Sequence, residues 1–246
     1  MQIAHGLPDP RASPTPKLDL VARGICSVEA THQPSRPRLP ITPHILRQLR
    51  ALWSGTAHEF NTIMLWAAST ACFFGFFRIG EITTPSDASF NADLHLLFSD
   101  LAVDNPTAPS VVRIHLEASK TDQFRRGVDV FIGSTHNELC PIAAMMAYLA
   151  QRGGHPGALF HFEDGTLLMP ACFTARVRDA LEALGHIGKS YAGHSFRIGA
   201  ATTAAEKGLE DSLIKALGRW ESDAYLLYVR TPRERLAAVA KILAQV

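Results

Sequence analysis

The first hydrophobic pattern along the chain has helical spacing. Thr42-Pro43 provides a hydroxyl N-cap followed by proline at the first helical position. In 43–53 the apolar residues then fall on one side of a helix. The next apolar segment, 58–76, is hydrophobic nearly all round. The pattern therefore predicts an amphipathic helix followed by a central, buried one.

Beyond residue 80 the apolar runs shorten to strand length. Three runs rich in β-branched and aliphatic residues, at 94–98, 110–117 and 128–132, each predict a β-strand. The residues between the last two runs, 118–127, are polar and basic. We therefore expect these residues to form a long hairpin tip.

Helical patterns return after residue 140. The predicted helices cover 141–151, 170–184, 195–207, 211–217, 222–229 and 232–245. Gly185 and Gly208 are suited to end the second and third of these helices, and a small hairpin is predicted around Glu163-Asp164-Gly165. Together the patterns predict a mainly α (α+β) fold with a small three-stranded antiparallel sheet.

The amino-terminal region lacks such periodicity. Residues 1–16 are rich in proline and predict irregular structure, whereas 17–28 are compatible with a short helix. Three prolines within 31–40 are typical of a linker. We therefore expect a domain boundary near residue 38, with a partly disordered segment at 1–37 and one domain at 38–246.

Composition and charge restrict the class of protein only broadly. The 246 residues are 47% hydrophobic and 19% charged, which is ordinary for a globular protein with a substantial core. The 24 Lys and Arg residues nearly balance 23 Asp and Glu, giving a formal net charge of +1. Overall charge therefore gives no support for nucleic-acid binding, and only the distribution of charge is informative.

Cysteine spacing and apolar length exclude two further classes. None of the four cysteines, Cys26, Cys72, Cys140 and Cys172, forms a CxxC pair, so neither a disulfide framework nor a zinc site is expected. Cys72 lies in an apolar run and is predicted to be a small core residue. The longest apolar run, 63–77, has 15 residues, fewer than the roughly 20 of a membrane span. An intracellular protein with no membrane association is expected.

Several polar groups suit phosphodiester chemistry. His194-Ser195-Phe196-Arg197, Trp220 and Tyr228 occur within 35 residues, and Arg78 lies far upstream. Transesterification of a phosphodiester needs fixed cations at the non-bridging oxygens, an in-line nucleophile and a proton donor for the leaving alkoxide. The planar guanidinium of arginine suits phosphate. A tyrosine, with an ordinary pKa near ~10, needs local positive charge to act as the nucleophile.

The order of these groups resembles the catalytic domain of the tyrosine recombinase (phage integrase) family. The resemblance covers 38–246 and implies that 1–37 is a remnant of the N-terminal core-binding domain and linker. More broadly, the sequence resembles recombinases of eukaryotic mobile elements. The segments that carry the resemblance are Arg78-Ile79-Gly80-Glu81-Ile82 after an apolar helix, Lys120 in a hairpin, His194-Ser195-Phe196-Arg197, Leu217-Gly218-Arg219-Trp220 and Tyr228-Val229-Arg230.

The resemblance implies a catalytic role for each of several residues. Arg78 and Arg197 would hold the scissile phosphate, and Lys120 would protonate the leaving 5′ oxygen. His194 would hydrogen-bond the phosphate and assist proton movement at the tyrosine. Tyr228 would attack and form a 3′-phosphotyrosyl link. Because that link conserves the bond energy, neither ATP, a metal nor another cofactor is implied.

Supporting groups and partners follow from the same resemblance. Trp220 would donate its indole N–H where many relatives have histidine, and Glu81 would support Arg78. Arg125, Arg126 and Ser195 are expected to contact DNA. The implied partner is double-stranded DNA, bound by a homo-oligomer that is a tetramer during recombination. The protein is then expected where the DNA is, in the nucleus if the host is eukaryotic.

Each residue also has a simpler interpretation when it is taken alone. A His-x-x-Arg pair often forms a solvated helix edge, an arginine after a helix can pair with the helix dipole, and a tryptophan is often a core residue. Tyr225 competes with Tyr228, because residues three apart share a helix face. Trp220 and Tyr228 are eight residues apart, one fewer than the commonest family separation.

Three functions remain open on the sequence. The first is a site-specific recombinase or integrase that acts in DNA recombination and integration. The second is a catalytically impaired or domesticated DNA-binding module derived from such an enzyme. The third is topoisomerase-like nicking and resealing without exchange of partners. A covalent adduct with DNA separates the first from the second, and relaxation of supercoiled DNA by a monomer indicates the third.

Overall fold

Two helices open the described part of the chain. In the computed structural model, which describes 38–55, 59–117, 127–220, 226 and 229, helix α1 spans Pro43–Ser54 and helix α2 spans Phe60–Phe74. The Thr42 hydroxyl accepts a hydrogen bond from the Ile45 backbone N–H at 3.3 Å. The predicted N-cap is therefore confirmed.

Helix α2 lies at the centre of the core, as its uniform hydrophobicity predicted. The ten consecutive residues 64–73 are all buried. The helix contacts α1, α4 (Pro141–Arg152) and α6 (Ser195–Glu206). Cys72 is fully buried among them, so its prediction as a small core residue is confirmed. Small side chains such as Ala67 and Ala71 let the neighbouring helices approach closely.

Three antiparallel strands form one sheet in the order β1-β2-β3. Ile114 of the middle strand pairs with Leu101 on one side and Val130 on the other. Buried and more exposed residues alternate along the middle strand, so one face of the sheet packs on the core. The strands are β1, Leu101–Val103, β2, Val111–Leu116, and β3, Val128–Gly133.

The first strand begins later than the sequence predicted. Residues 94–98 form a turn and one isolated bridge, between Leu97 and Ala158. The Asp100 carboxylate accepts a hydrogen bond from the Leu97 N–H at 2.8 Å, and a short 3-10 helix, Phe98–Asp100, precedes β1. The prediction of a strand at 94–98 was wrong because the aliphatic pattern does not reveal this side-chain cap.

The helices of the second half follow the predicted order. Gly185 and Gly208 follow two of them with φ of 83° and 79°, a left-handed backbone that glycine tolerates. An isolated bridge between His161 and Leu167 forms the predicted small hairpin. The mainly α (α+β) fold is therefore confirmed. The remaining helices are α5, Pro170–Ala183, and α7, Asp211–Gly218.

Several predicted features lie outside the described residues and stay predictions. They are the segment 1–37, the hairpin tip at 118–126, most of the helix at 222–229 and the helix at 232–245. Within the part that the structure describes, no helix is long and apolar enough to cross a membrane. The three cysteines described there, Cys72, Cys140 and Cys172, are free thiols.

Candidate functional site

The candidate site begins in a sharp turn at the end of α2. Phe76 has a φ of 51°, a left-handed backbone that bulky residues rarely adopt. The chain then enters a four-residue helix, α3, Ile79–Ile82, with Arg78 at its N-cap. One helical turn is too short to show periodicity, so the sequence pattern did not reveal α3.

Glu81 fixes the Arg78 side chain. Glu81 Oε1 accepts a hydrogen bond from Arg78 Nη1 at 2.7 Å, and Glu81 Oε2 accepts one from the Arg78 backbone N–H at 2.8 Å. The side chains are 18% exposed at Arg78 and 5% at Glu81. Charge-assisted hydrogen bonds of this kind are strong, and this is the contact that the predicted supporting role of Glu81 requires.

A second arginine, Arg219, shares the same carboxylate. Arg219 Nη2 donates to Glu81 Oε2 at 2.8 Å, and the Arg219 side chain is 11% exposed. Burial lowers the pKa of Arg219, and the negative charge of Glu81 opposes that shift.

Burial also raises the pKa of the Cys72 thiol well above its ordinary value, and the charge of Glu81 adds to the rise.

Arg197 lies behind the turn that carries Arg78. Its side chain is buried; Nη1 donates to the Phe76 carbonyl at 2.9 Å and Nη2 donates to the Gly218 carbonyl. The central carbon of its guanidinium lies 4.3 Å from the centroid of the Trp220 ring, a cation–π contact. Arg197 is therefore attached to the same turn from the inner side.

Arg78 and His194 line one cleft. His194 precedes α6 and is exposed. The cleft has a volume of about 430 Å³, and Thr174, Gly193 and Glu81 also line it. His194 and Arg78 are 116 positions apart in the chain (194 − 78), so only the tertiary fold joins them. Among the described residues, no cluster of His, Cys, Asp and Glu could hold a metal ion.

Four of the six predicted catalytic residues are described, and they form two pairs. Arg78 and His194 face the cleft, whereas Arg197 is stacked on Trp220 and does not line it. Arg197 reaches the turn that precedes Arg78 through its hydrogen bond to the Phe76 carbonyl. The predicted residues outside the described part of the chain are Lys120, Tyr228, its competitor Tyr225, Arg125 and Arg126.

Ser195 does not fit its predicted contact with DNA. Its side chain is fully buried, and its hydroxyl oxygen accepts a hydrogen bond from the Ala192 N–H at 2.9 Å. Its carbonyl accepts another from the Ile41 N–H at 2.9 Å. These two hydrogen bonds fix the start of α6. Because the neighbours of Ser195 enclose its hydroxyl, that hydroxyl cannot contact DNA.

No role for Arg219 was predicted beyond its place in the motif Leu217-Gly218-Arg219-Trp220. A signal was available in the spacing. Trp220 lies eight residues before Tyr228, whereas the commonest separation in the family is one residue longer. The residue at that longer separation before Tyr228 is Arg219. The ion pair with Glu81, 138 positions away, could not be read from the chain.

Comparison with solved structures identifies the fold. The chain resembles the XerH site-specific recombinase bound to palindromic difH substrate, with a TM-score of 0.61 and 15% identity over 86% of this chain and 55% of that one. It resembles XerA recombinase with a TM-score of 0.56 and 14% identity, over 86% of this chain and 66% of that one. For the Tn1549 transposon integrase in complex with transposon right end DNA the TM-score is 0.56, with 14% identity over 86% of this chain and 68% of that one.

These likenesses define the class of protein by its fold: the described chain has the fold of a tyrosine recombinase catalytic domain. It spans about half the length of the XerH chains that it matches. No protein-family model matches the chain, and no curated protein matches it in sequence. At such identities the similarity shows the fold alone.

Proposed function

We propose that this chain is the catalytic domain of a site-specific recombinase or integrase, which breaks and rejoins DNA through a 3′-phosphotyrosyl intermediate at Tyr228. The observation that carries the proposal is the shared cleft of Arg78 and His194, in the fold of a tyrosine recombinase catalytic domain. An arginine and a histidine at one cleft can both donate hydrogen bonds to a phosphate oxygen on which negative charge develops.

The scissile phosphate occupies this cleft in the proposal. Arg78 has five N–H donors, more than its ion pair with Glu81 uses, so it can bind a phosphate oxygen while Glu81 holds it. His194 hydrogen-bonds the phosphate from the opposite segment. Because the Glu81 side chain is only 5% exposed, little water competes for its ion pair with Arg78, and the electrostatic strength of that pair increases.

Arg197 contributes positive charge from behind the Phe76 turn. Its guanidinium bonds two backbone carbonyls in this structure. Because the side chain is only 1% exposed, a direct bond to phosphate requires a movement that exposes the guanidinium when DNA binds. Trp220, stacked on Arg197, supplies its indole N–H to the phosphate in the same movement.

Strand cleavage follows as a balanced transesterification. The Tyr228 oxygen attacks phosphorus, and the bond between phosphorus and the 5′ oxygen breaks. His194 assists removal of the tyrosine proton, and Lys120 donates a proton to the leaving 5′ oxygen. Attack by an incoming 5′ hydroxyl reverses the step and rejoins the strand. No energy source is needed because the phosphotyrosyl link replaces one ester bond by another.

The proposed partner is double-stranded DNA. A tetramer of the protein binds it during recombination and integration. The XerH and Tn1549 integrase structures that resemble this chain are complexes with DNA, and the second is a transposon protein, which supports a mobile-element origin. Arg125 and Arg126 bind the DNA backbone, and 1–37 is a remnant of a core-binding domain. The protein acts where the DNA is, in the nucleus if the host is eukaryotic.

Capture of the covalent intermediate tests the proposal. The purified chain is incubated with a pool of nicked duplexes of randomised sequence. The mixture is then denatured, and the DNA that remains covalently bound to protein is sequenced. We expect adduct from the wild type and from Tyr225→Phe, and none from Tyr228→Phe. Absence of adduct from the wild type, or an equal amount from Tyr228→Phe, contradicts the proposal.

One observation favours a second candidate, a DNA-binding module derived from such an enzyme. Arg197 is almost completely buried, and its guanidinium bonds backbone carbonyls. If this arrangement persists on DNA, the cleft lacks one of its two phosphate-holding arginines. This candidate predicts that DNA is retained without covalent product and that retention survives Tyr228→Phe.

A further inference from the structure

We infer that Arg219 is a positioning residue for Arg78. It holds the buried carboxylate of Glu81, and Glu81 in turn sets the direction of the Arg78 guanidinium. The inference rests on the proposed function, because the group toward which Arg78 is directed is the scissile phosphate.

Both oxygens of Glu81 have arginine partners, and Oε2 also accepts a hydrogen bond from the Arg78 backbone N–H at 2.8 Å. Oε1 accepts from Arg78 Nη1 at 2.7 Å, and Oε2 accepts from Arg219 Nη2 at 2.8 Å. The terminal torsion of a glutamate has broad preferences, so hydrogen-bond partners decide how its carboxylate is turned. Because Arg219 holds Oε2, rotation of the carboxylate away from Arg78 would break both ion pairs.

Arg219 is itself anchored to the chain that leads into Arg78. Its Nη1 donates to the Gly75 carbonyl at 3.1 Å and its Nη2 to the Phe76 carbonyl at 3.2 Å. Its guanidinium carbon lies 5.2 Å from the centroid of the Phe77 ring. The planar guanidinium therefore connects the end of α7 to the turn before Arg78, which the single ammonium of a lysine could not reproduce.

Arg219 also connects the two arginines that are proposed to hold phosphate. The Phe76 carbonyl accepts hydrogen bonds from Arg219 Nη2 and from Arg197 Nη1. Phe76 and Arg219 both have left-handed backbones, with φ of 51° and 54°. Such conformations persist only where the surroundings hold them. A change at Arg219 therefore reaches Arg78 through Glu81 and Arg197 through Phe76.

The shared carboxylate also sets the charge of the cleft. One negative Glu81 lies between two positive guanidiniums that are 18% and 11% exposed at their side chains. The three groups together carry one net positive charge, whereas Glu81 and Arg78 alone would carry none. Arg219 therefore leaves the Arg78 end of the cleft attractive to a phosphate.

A double-mutant cycle on the cleavage rate tests the inference. Arg78→Lys, Arg219→Lys and the double variant are compared on a duplex recovered from the adduct pool, at saturating DNA. We expect Arg219→Lys to lower the rate of adduct formation by about 10- to 100-fold, while the Kd for DNA changes less than about threefold. In the Arg78→Lys background, Arg219→Lys should have little further effect on the rate, because the guanidinium that Arg219 positions is already absent.

A purely structural role predicts other results. The control is Arg152→Lys, which also removes a buried guanidinium that bonds backbone carbonyls but lies apart from Glu81. We expect Arg152→Lys to have the same effect on the rate in both Arg78 backgrounds. If Arg219→Lys behaves in that additive way, or leaves the rate unchanged, the inference is wrong.

A measurement that needs no catalysis separates this inference from the proposed function. The unfolding of Arg78→Met, Arg219→Met and their double variant should show coupled effects on stability, since both arginines share Glu81. Additive effects overturn the inference even if adduct forms. Absence of adduct from the wild type overturns the proposed function, and with it the catalytic part of this inference.

Discussion

At the scale of single residues, the candidate site depends on a carboxylate between two arginines. Glu81 is 5% exposed and bonds both Arg78 and Arg219. A charge buried to this extent is tolerated only when its partners are present. The proposed phosphate contact at Arg78 therefore depends on Glu81, whose carboxylate is bonded to both arginines.

Replacement of Arg78 by lysine tests whether the planar guanidinium is needed. Lysine keeps the charge but cannot bind Glu81 and a phosphate in one plane. We expect Arg78→Lys to lower the single-turnover rate of adduct formation by about 100- to 1,000-fold, the loss typical of one fixed donor to a developing charge. As a control, Arg47→Lys alters an exposed arginine that pairs with Glu138 at 2.7 Å and should leave the rate unchanged. An Arg78→Lys rate close to that of the wild type would contradict the role of Arg78.

Cys140 has an acidic thiol beside a second cavity. Burial alone would raise the pKa of Cys140, but hydrogen bonds from the Ser134 hydroxyl and from backbone N–H groups, including that of Ala143, outweigh it and lower the pKa to about 7. The cavity, of about 290 Å³, is also lined by Trp53 and Trp66 and contains none of the predicted catalytic residues.

Alkylation of Cys140 should therefore follow a titration near neutrality. Thiolate is the reactive form, so its reaction with iodoacetamide should accelerate as the pH rises and reach half its maximum near pH 7. Peptide mapping by mass spectrometry measures the rate at each pH. In Ser134→Ala the midpoint should move upward. A wild-type midpoint at about 8.5, the ordinary value for cysteine, would contradict the prediction.

At the scale of elements, α6 lies against the segment that precedes α1. The Ile41 N–H donates to the Ser195 carbonyl at 2.9 Å. A Cβ atom added at Gly199 would overlap the Ile41 carbonyl oxygen. Glycine is therefore required for this close approach of backbones, which also positions His194 at the start of α6.

Gly199→Ala should destabilise the fold. The added methyl would displace a backbone carbonyl, so we expect the free energy of unfolding to fall by at least about 1–3 kcal/mol. Urea denaturation measures the change. The matched control is Gly80→Ala, since Gly80 is also helical but has no atom within 4 Å of an added Cβ. That substitution should be neutral or stabilise by up to about 1 kcal/mol, and equal losses in both variants would contradict the packing argument.

At the scale of the whole molecule, a nearly neutral protein carries a local cluster of positive charge. The formal net charge is +1, yet Arg78, Arg197 and Arg219 meet around one turn. The predicted hairpin tip adds Arg125 and Arg126. DNA affinity should therefore depend on a few local contacts rather than on overall attraction.

The salt dependence of DNA binding counts those contacts. Each phosphate contact adds about 0.9 to the slope of log K against log salt. We expect Arg125→Ala/Arg126→Ala to reduce the magnitude of the slope by about 1.8, the sum of two such contacts. Fluorescence anisotropy at several salt concentrations provides the measurement, with Arg47→Ala as the control. An unchanged slope in the double variant would exclude both arginines from the DNA interface.

Local patterns predicted those helices and strands whose caps and hydrophobic spacing lie within the segment itself. Thr42-Pro43 predicted a helix start because an N-cap bonds only its neighbours, and the uniform hydrophobicity around Cys72 predicted burial. The prediction at 94–98 was wrong because Asp100 caps that segment from outside the run. Ser195 was assigned to DNA because a sequence does not show which hydroxyls are enclosed.

The sequence by itself determined the mainly helical fold and the residues able to handle a phosphate, since hydrophobic period, caps and side-chain chemistry are properties of short segments. Only the tertiary structure decided that Arg78 and His194 share a cleft, that Arg197 is buried behind it, and that Arg219 shares the Glu81 carboxylate. These contacts join positions more than 100 residues apart, and they depend on how α2, α6 and α7 pack against one another.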